Sequence, residues 1–425
     1  MELRSRYKQT EVGVIPEEWE VKPLNRIGRV IRGASPRPKS DKRFYGGSVP
    51  RLMVEDVTRD RKFVTPSIDF LTKEGAKRSR PCKQGTLTIV CSGTPTVVGL
   101  PSLLAVDACI HDGMLALVDL NQSVEPEFLF YCLANLQEKL DAAATHGGTF
   151  VNLTTTGFGA FVISVPTLPE QRAIAAALSD MDALITSLDR MIAKKHSMKQ
   201  ATMQELLTGK RRLPGFSGEW AVRTFDEIFN YCSTATNSRS DLSESSGDTY
   251  YIHYGDIHTK YHGHLDFRRE LPSKIPFELC KSATLLLNGD WVMADASEDF
   301  AGVCKSIEVL GLEADIHAVA GLHTFLLREK TPTFSAGFKG HLGNLNSLHQ
   351  QLLRVATGLK VYGVSKKALK DLTLPVPSPK EQAAITTILS DMDADIATME
   401  QKLDKTRQLK QGMMQELLTG RIRLV

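Results

Sequence analysis

A stretch of 48 residues occurs twice in this chain, and that repeat constrains the fold more than any other feature. Pro166-TLPEQRAIAAALSDMDALITSLDRMIAKKHSMKQATMQELLTGKRRL returns as Pro377-SPKEQAAITTILSDMDADIATMEQKLDKTRQLKQGMMQELLTGRIRL, 211 positions later and without a gap. About half the aligned residues are identical, and LSDMDA and MQELLTG recur letter for letter. Such fidelity marks an internal duplication.

Both copies read as long helices. Ile174, Leu178, Met181, Ile185, Leu188 and Ile192 alternate at spacings of four and three, as do Ile385, Leu389, Met392, Ile396, Met399 and Leu403. That is the a/d seam of a coiled coil, so each helix wants a partner along its length. Pro169 suits a first turn, and Gly209 and Gly420 suit C-terminal stops. The seam weakens at Lys195 and Thr406 and is expected to resume near Met198 and Leu409. A helix over about 169–208 would be roughly 60 Å long. The simplest partner for each copy is the other, packed antiparallel with pseudo-twofold symmetry. Two unconnected surface helices, or a homodimeric coiled coil, are the competing readings.

The helices divide the chain into module 1–165, spacer helix 166–213, module 214–376 and spacer helix 377–425. Module openings are related, GVIPEEWEVKPL around Trp19 and GFSGEWAVRTF around Trp220. Their ends are related too, where Gly147-GTFVNLTTTGFGAFVISVP aligns with Gly358-LKVYGVSKKALKDLTLPVP. Each Trp is expected to anchor a core. Strands are expected at Thr86–Val90, Leu115–Val118, Leu285–Leu287 and His323–Leu327, and shorter helices at Pro126–Ala143 and Leu345–Val355. The fold class is therefore α+β: two globular α/β modules in tandem, separated by two long antiparallel coiled-coil helices.

Composition narrows the function. No apolar run in the 425 residues approaches the ~20 that a membrane helix needs. The first residues, MELRSRYKQTEVG, lack a signal-peptide core. A cytoplasmic protein without membrane contact is expected. Seven cysteines, odd in number and never C-x-x-C, argue for reduced, buried thiols. Phosphate-loop, dinucleotide-fold, amino-methyltransferase and nucleophile-elbow motifs are missing, so neither catalytic residues nor a cofactor are expected. The nearest approach to a metal site is His258, His262 and His264, with His253, Asp256 and Asp266 nearby. Its spacing matches no standard zinc pattern, and no metal is expected.

Net charge is only +3, yet residues 29–83 carry a net +9 and residues 214–376 a net −3. The first module offers a Pro-stiffened basic loop with Ser35, Arg37, Lys39, Arg43 and Tyr45. Its second polar loop has Ser92, Thr94 and Thr96. The second module offers Arg239 and the run holding His253, Tyr254, His258, Lys260 and Tyr261. Thr149 and Lys360 precede the helices. Arg and Lys can hold phosphates, and these polar types can also read base edges. Double-stranded DNA is the expected ligand. A solvated basic face, or a coiled-coil scaffold whose modules bind other proteins, remains the alternative.

With Gly13-VIPEEW, Gly215-FSGEW, VPTLPEQRAIAAALSDMDA, VPSPKEQAAITTILSDMDA and the two MQELLTG ends in view, the chain resembles the specificity (S) subunits of type I restriction–modification systems over essentially its full length. Gly33-ASPRPK…FYGGSVP is also similar to an opening of their target-recognition domains. The resemblance implies that each module reads half of a bipartite, gapped DNA site. It implies that the helices set the gap and bind two modification (methyltransferase) subunits, with Glu170, Gln171, Asp180, Asp182, Glu381, Gln382, Asp391 and Asp393 on them. Restriction subunits, ATP-dependent translocases and endonucleases, would join the full complex. The chain departs from the family at Arg51, where an aromatic often stands. Half-sites one helical turn apart lie ~34 Å apart, within reach of the expected helix pair.

Overall fold

The computed structural model describes residues 6–39, 41–94, 96–147, 150–300, 302–358 and 360–424. The chain forms two compact units, residues 1–189 with 401–425, and residues 190–400. The long helices run Leu168–Leu206 and Pro379–Leu417. Each unit therefore joins one module to the first part of its own helix and the last part of the other.

The first unit is built on a five-stranded sheet in the order Arg29–Arg32, Met114–Val118, Leu87–Val90, Pro101–Leu104, Phe63–Val64. All neighbours are antiparallel except the last pair. Its central strands are buried on both faces, and the period of two assigns the sides. Leu87, Ile89, Leu115 and Leu117 enter the core shared with helix Pro126–Asn135, Trp19 and the long-helix residues Ile174, Leu178, Met414 and Leu417. Val90, Met114 and Ala116 face a second core under Leu52, Val57 and Ile110. That core is roofed by a smaller sheet, Asp69–Leu71, Tyr45–Leu52, Ala108–Ile110 and Pro81–Cys82. Three layers result, helices, sheet and sheet.

The second unit repeats the plan. Its five strands are Phe229–Cys232, Thr324–Glu329, Trp291–Ala294, Ser306–Leu310 and His264–Asp266, with the same pairing senses. Trp291, Met293, Phe325 and Leu327 turn to the helix side, and Val292 and Leu326 to the other. Its smaller sheet holds Lys274–Ile275, Thr249–Ile252 and Ala318–Ala320. The strand expected at Leu285–Leu287 is reduced to a bridge between Leu285 and Val319, and Leu287 is exposed. The helix expected over Pro126–Ala143 breaks at Leu136 and continues as Gln137–Ala142. Leu345–Val355 forms as Asn346–Val355.

Each module closes on itself by pairing its opening strand with the strand that feeds its helix, Glu20–Pro23 with Val162–Val165 and Ala221–Thr224 with Thr373–Val376. This explains why both ends of the module are duplicated while the interior has diverged. The joint is fixed by the repeated Glu-Gln. Glu170, wholly buried, accepts from Trp19 Nε1 (3.0 Å) and from the guanidinium of Arg423. Glu381 does the same for Trp220 Nε1 (2.9 Å) and Arg212 (2.6 and 2.8 Å). Gln171 receives the Glu125 N–H and donates to the carbonyls of Ser123 and Pro166. Gln382 receives the Ser335 N–H and donates to Thr333 and Pro377.

The helical segments lie antiparallel within each unit. Lys410 pairs with Asp182 (2.6 Å) and Arg407 with Asp189 (3.1 Å) in the first. Lys199 with Asp393 and His196 with Glu400 (3.4 Å) are their counterparts in the second, at the same offset of 211 positions. The expected seam holds through Leu188, Ile192, Ile396 and Leu403. Its expected resumption at Met198 and Leu409 does not, because both are exposed. Lys199 and Lys410 stand nearer the seam instead, in ion pairs, and burial resumes at Met203, Leu206, Met414 and Leu417. Gly209 and Gly420 end the helices at φ +69° and +70°. A Cβ on Gly420 would stand 2.5 Å from Pro16, so both backbone freedom and space demand glycine there. All seven cysteines are free thiols, six of them buried.

Candidate nucleic-acid interface

In each unit the loops gather at one edge of the five-stranded sheet. In the first unit, Arg32 and Val90 end their strands where Pro101 and Met114 begin theirs. The emerging loops are tied together. Arg32 donates through Nε to the Asp112 carbonyl (2.9 Å) and through a terminal nitrogen to Asn152 Oδ1 (3.0 Å). The Ala34 N–H reaches the Ile110 carbonyl (3.1 Å), and the Ser92 N–H that of Gly113 (3.2 Å).

On this platform Arg37 and Lys39 are exposed, Arg37 standing 3.7 Å from the Asp112 carboxylate. Burial acts to raise the Asp112 carboxyl. His111, the Ser35 hydroxyl, Lys39 and Arg37 together hold it below its ordinary value. Burial also lowers the His111 imidazole, against the pull of Asp112. Thr94 and Thr96 are exposed, with hydroxyls 3.2 Å apart, and Ser92 is half-buried. Two expected readers already have partners within the protein. Tyr45 donates to the Pro36 carbonyl (2.7 Å), and Ser35 Oγ accepts from Arg51 (3.0 Å). Arg43 is exposed but its guanidinium is held by Asp41. Thr149 lies outside the described residues. Arg51 is buried against the Tyr45 ring and paired with Asp69.

The second unit places Arg239 beside the same kind of edge. Its guanidinium contacts Asp256 Oδ1 (2.8 Å) and His253 Nδ1 (3.2 Å). His253 is buried and caps helix Tyr254–Thr259, its Nδ1 accepting from the Gly255 N–H (3.0 Å). Burial and the neighbouring Arg239 lower its pKa. Tyr254 lies edge-on to His258 and His323. His258 Nε2 donates to the Ala296 carbonyl (3.0 Å), while Lys260 and Lys360 are exposed. Tyr261 corrects the expectation. It is 4% exposed, within the core of Ile252, Ile257 and Leu265, and cannot present its ring to a ligand. The histidines diverge: His258 meets Ala296, His264 meets the Gly337 carbonyl (2.7 Å) and His262 is exposed. No group of three or more metal-ligating side chains converges among the described residues.

Several residues at this edge were not singled out in sequence: Arg32, His111, Asp112 and Asn152 in the first unit, Asp295 and His323 in the second. His323 Nδ1 stands 3.3 Å from Asp295. Only Arg32 carried a signal, as the charged last residue of a strand leading into the basic loop. The +9 of residues 29–83 is also less than it looks. Arg29, Arg43, Arg51, Arg59, Lys62 and Lys83 are paired with carboxylates, three of them (Asp119, Glu127 and Asp107) from outside that window.

On the helices, Glu170, Gln171, Glu381 and Gln382 are buried in the contacts described above, and Asp182 and Asp393 are paired with lysines. Asp180 and Asp391 are exposed. Among the described residues no helix is long and apolar enough to cross a membrane.

A family profile described as the type I restriction modification DNA specificity domain matches residues 16–194 and again 217–408. The chain belongs to this family. As a specificity chain it is the recognition component of such a system, not the catalytic one. It is 22% identical to the putative type I restriction enzyme MjaX specificity subunit of Methanocaldococcus jannaschii, covering 98% of this chain and 97% of that one. It is likewise 22% identical to the EcoKI specificity subunit of Escherichia coli K12, covering 97% and 90%. The fold matches the type I S subunit from M. genitalium at TM-score 0.53, with 14% identity and 98% of each chain covered. A chain solved in work on complex assembly of the type I R-M system matches at TM-score 0.61, with 17% identity and 96% and 99% covered.

Proposed function

We propose that each unit reads one half of a bipartite, gapped double-stranded DNA site through the loop edge of its five-stranded sheet. The observation that carries this is the repetition of one scaffold edge with different side chains. Arg32, Arg37, Lys39, Thr94, Thr96 and Asn152 are the readers in the first unit, and Arg239, Tyr254, Lys260, His323 and Lys360 in the second. Arginine forks suit guanine edges, amides suit adenine, and lysines suit phosphates. His253 and Ser35 act by holding these groups in place.

The long helices set the gap between half-sites and carry two modification subunits, Asp180 and Asp391 lying on the exposed face offered to them. Restriction subunits join this assembly in the full complex, and the chain works in the cytoplasm, where its DNA is. Co-expression with the modification subunits, followed by genome-wide mapping of methylated adenines, tests the proposal. A single gapped, asymmetric motif is expected. Methylation without such a motif refutes it, as does a complex that binds matched and scrambled duplexes equally.

A further inference from the structure

The second unit exposes an aromatic stack that none of the roles above uses. The Phe300 ring lies 4.0 Å from that of Tyr362, at 27° between planes. Phe300 is nevertheless 55% exposed, and Val361 beside it 53%. A large apolar ring left in water normally folds back or is covered. This one is held out by its loop.

The holding is specific. Strand Ala296–Ser297 pairs antiparallel with Tyr362–Gly363, which sets Tyr362 behind the tip that Phe300 occupies. Asp299 turns its carboxylate inward, accepting from the Gly302 N–H (2.6 Å), and its own N–H meets Ser297 Oγ (3.2 Å). Val303 and Cys304, buried, anchor the far side. A Cβ on Gly302 would stand 2.3 Å from Ser297 Oγ and 3.1 Å from His258 Nδ1, so the loop is packed down on helix Tyr254–Thr259. His258 holds the Ala296 carbonyl, and Lys305 Nζ donates to the His258 carbonyl (2.8 Å). The stack is thus tied by hydrogen bonds and strand pairing to the loop edge assigned to DNA.

We propose that Phe300, backed by Tyr362, reads the C5-methyl group of a thymine in the major groove of the second half-site. This rests on the DNA-reading proposal above. A thymine methyl is the apolar mark that the major groove displays, and a side chain with an open π-face and no hydrogen-bonding group is suited to it. The alternative use of an exposed ring, a wedge driven between base pairs, must repay unstacking through additional grip on the backbone. Residues 214–376 carry a net −3 and the nearby Lys305 is engaged with a carbonyl, so beyond the phosphate contacts already given to Lys260 and Lys360 this loop supplies little additional grip. A methyl contact requires no deformation of the duplex. The first unit differs at this place. Its matching strand, Ser92–Gly93, leads to the hydroxyls of Thr94 and Thr96.

The test uses the full chain assembled with its modification subunits, on the duplex defined by the methylation map. Each thymine of both half-sites is replaced singly by uracil, which removes only the methyl. The wild type is expected to lose about three- to tenfold in affinity at one position of the second half-site. Phe300→Ala should lose a similar factor on the native duplex and no longer distinguish thymine from uracil there. Phe300→Leu, still apolar, should retain part of the discrimination, and Tyr362→Ala should weaken it. Uracil effects in the first half-site should be the same for all variants. Indifference of the wild type to every uracil in the second half-site overturns the proposal. So does a Phe300→Ala protein that still discriminates, or that weakens cognate and scrambled duplexes alike. If the wild type itself shows no preference for cognate over scrambled duplex, the DNA-reading proposal falls and this one with it.

Discussion

The buried contact of Glu170 with Arg423 offers a quantitative test of how each module is fastened to its helices. Glu170 is 0% exposed and receives three N–H bonds, one from Trp19 and two from Arg423. Replacing Arg423 by Ala leaves a buried carboxylate with the indole N–H alone. Breaking a buried ion pair costs about 3–5 kcal/mol. The Arg423 side chain keeps 27% of its exposure and is already partly hydrated, so the lower end applies, about 3 kcal/mol. Glu170→Gln keeps an acceptor for Trp19 and leaves Arg423 with Glu18 (3.1 Å) and water, at about 1–2 kcal/mol. The double variant buries no unpaired charge and should cost only about 2 kcal/mol, a coupling of about 2–3 kcal/mol between the two sites. Segment-resolved hydrogen exchange in increasing urea reads these values for amides of Ile174–Leu178 and Met414–Leu418. Segments of residues 190–400 should be unaffected, because the contact lies wholly in the other unit. The pair Glu381 and Arg212 should give the same pattern in the second unit. Costs that add within about 0.5 kcal/mol would refute the reasoning, showing that the carboxylate is stabilised by something other than the guanidinium.

Arg37→Ala should relax or abolish recognition in the first half-site only, read from the methylation map; equal loss in both halves would make its role structural. Lys62 Nζ contacts Glu127 (2.7 Å), Tyr131 (2.9 Å) and Ser179 (2.5 Å), so Lys62→Met should loosen the first unit by about 1–3 kcal/mol in the same exchange experiment. Burial acts to raise the Glu127 carboxyl, and hydrogen bonds from Lys62 and Ser179 bring it below its ordinary value. That stabilisation is present above about pH 4.5 and is lost as the pH falls through the depressed value; Lys62→Met should flatten this acid limb. His341 is lowered to about 3 by burial, with His264 and the Lys199 ammonium adding to it. The unfolded chain takes a proton near pH 6.5 that the native imidazole refuses, so the second unit should weaken as the pH falls below about 6.5. The loss is on the order of 2 kcal/mol by pH 5, and His341→Phe should remove it. A melting temperature indifferent to pH from 7 to 5 would contradict this.

The duplication, the two long helices and the modular plan were legible because they rest on exact repetition and on period. Trp19 and Trp220 were rightly expected in or against cores, since the segments that hold them are copied with the helices. Reading failed where tertiary context decides. Tyr261 sits in a polar run, yet its ring lands on the inner side of the turn after a helix. Met198 and Leu409 look like seam residues by type, and the ion pairs of Lys199 and Lys410 displaced them. The Glu-Gln pair of each helix was expected to face partners, but its strand-closing role depends on contacts as distant as Trp19 with Glu170 and Arg423 with Glu170. The base-edge loops were found in part, because Pro-Arg-Pro-Lys announces itself and Asp112 or His323 does not.

The way each unit borrows the end of the other's helix has a consequence for biosynthesis. Residues 190–400 form the second unit without interruption, so it can be completed as it emerges from the ribosome. The first unit lacks Met414, Leu417 and Arg423 until the 211 intervening residues have been made. At ~5–20 residues per second that interval is roughly 10–40 s. For that time the faces of Ile174 and Leu178 that meet the C-terminal helix are uncovered and the carboxylate of Glu170 lacks its guanidinium. The module translated first is the one finished last, and chaperone binding to a nascent chain stalled before residue 401 should concentrate there.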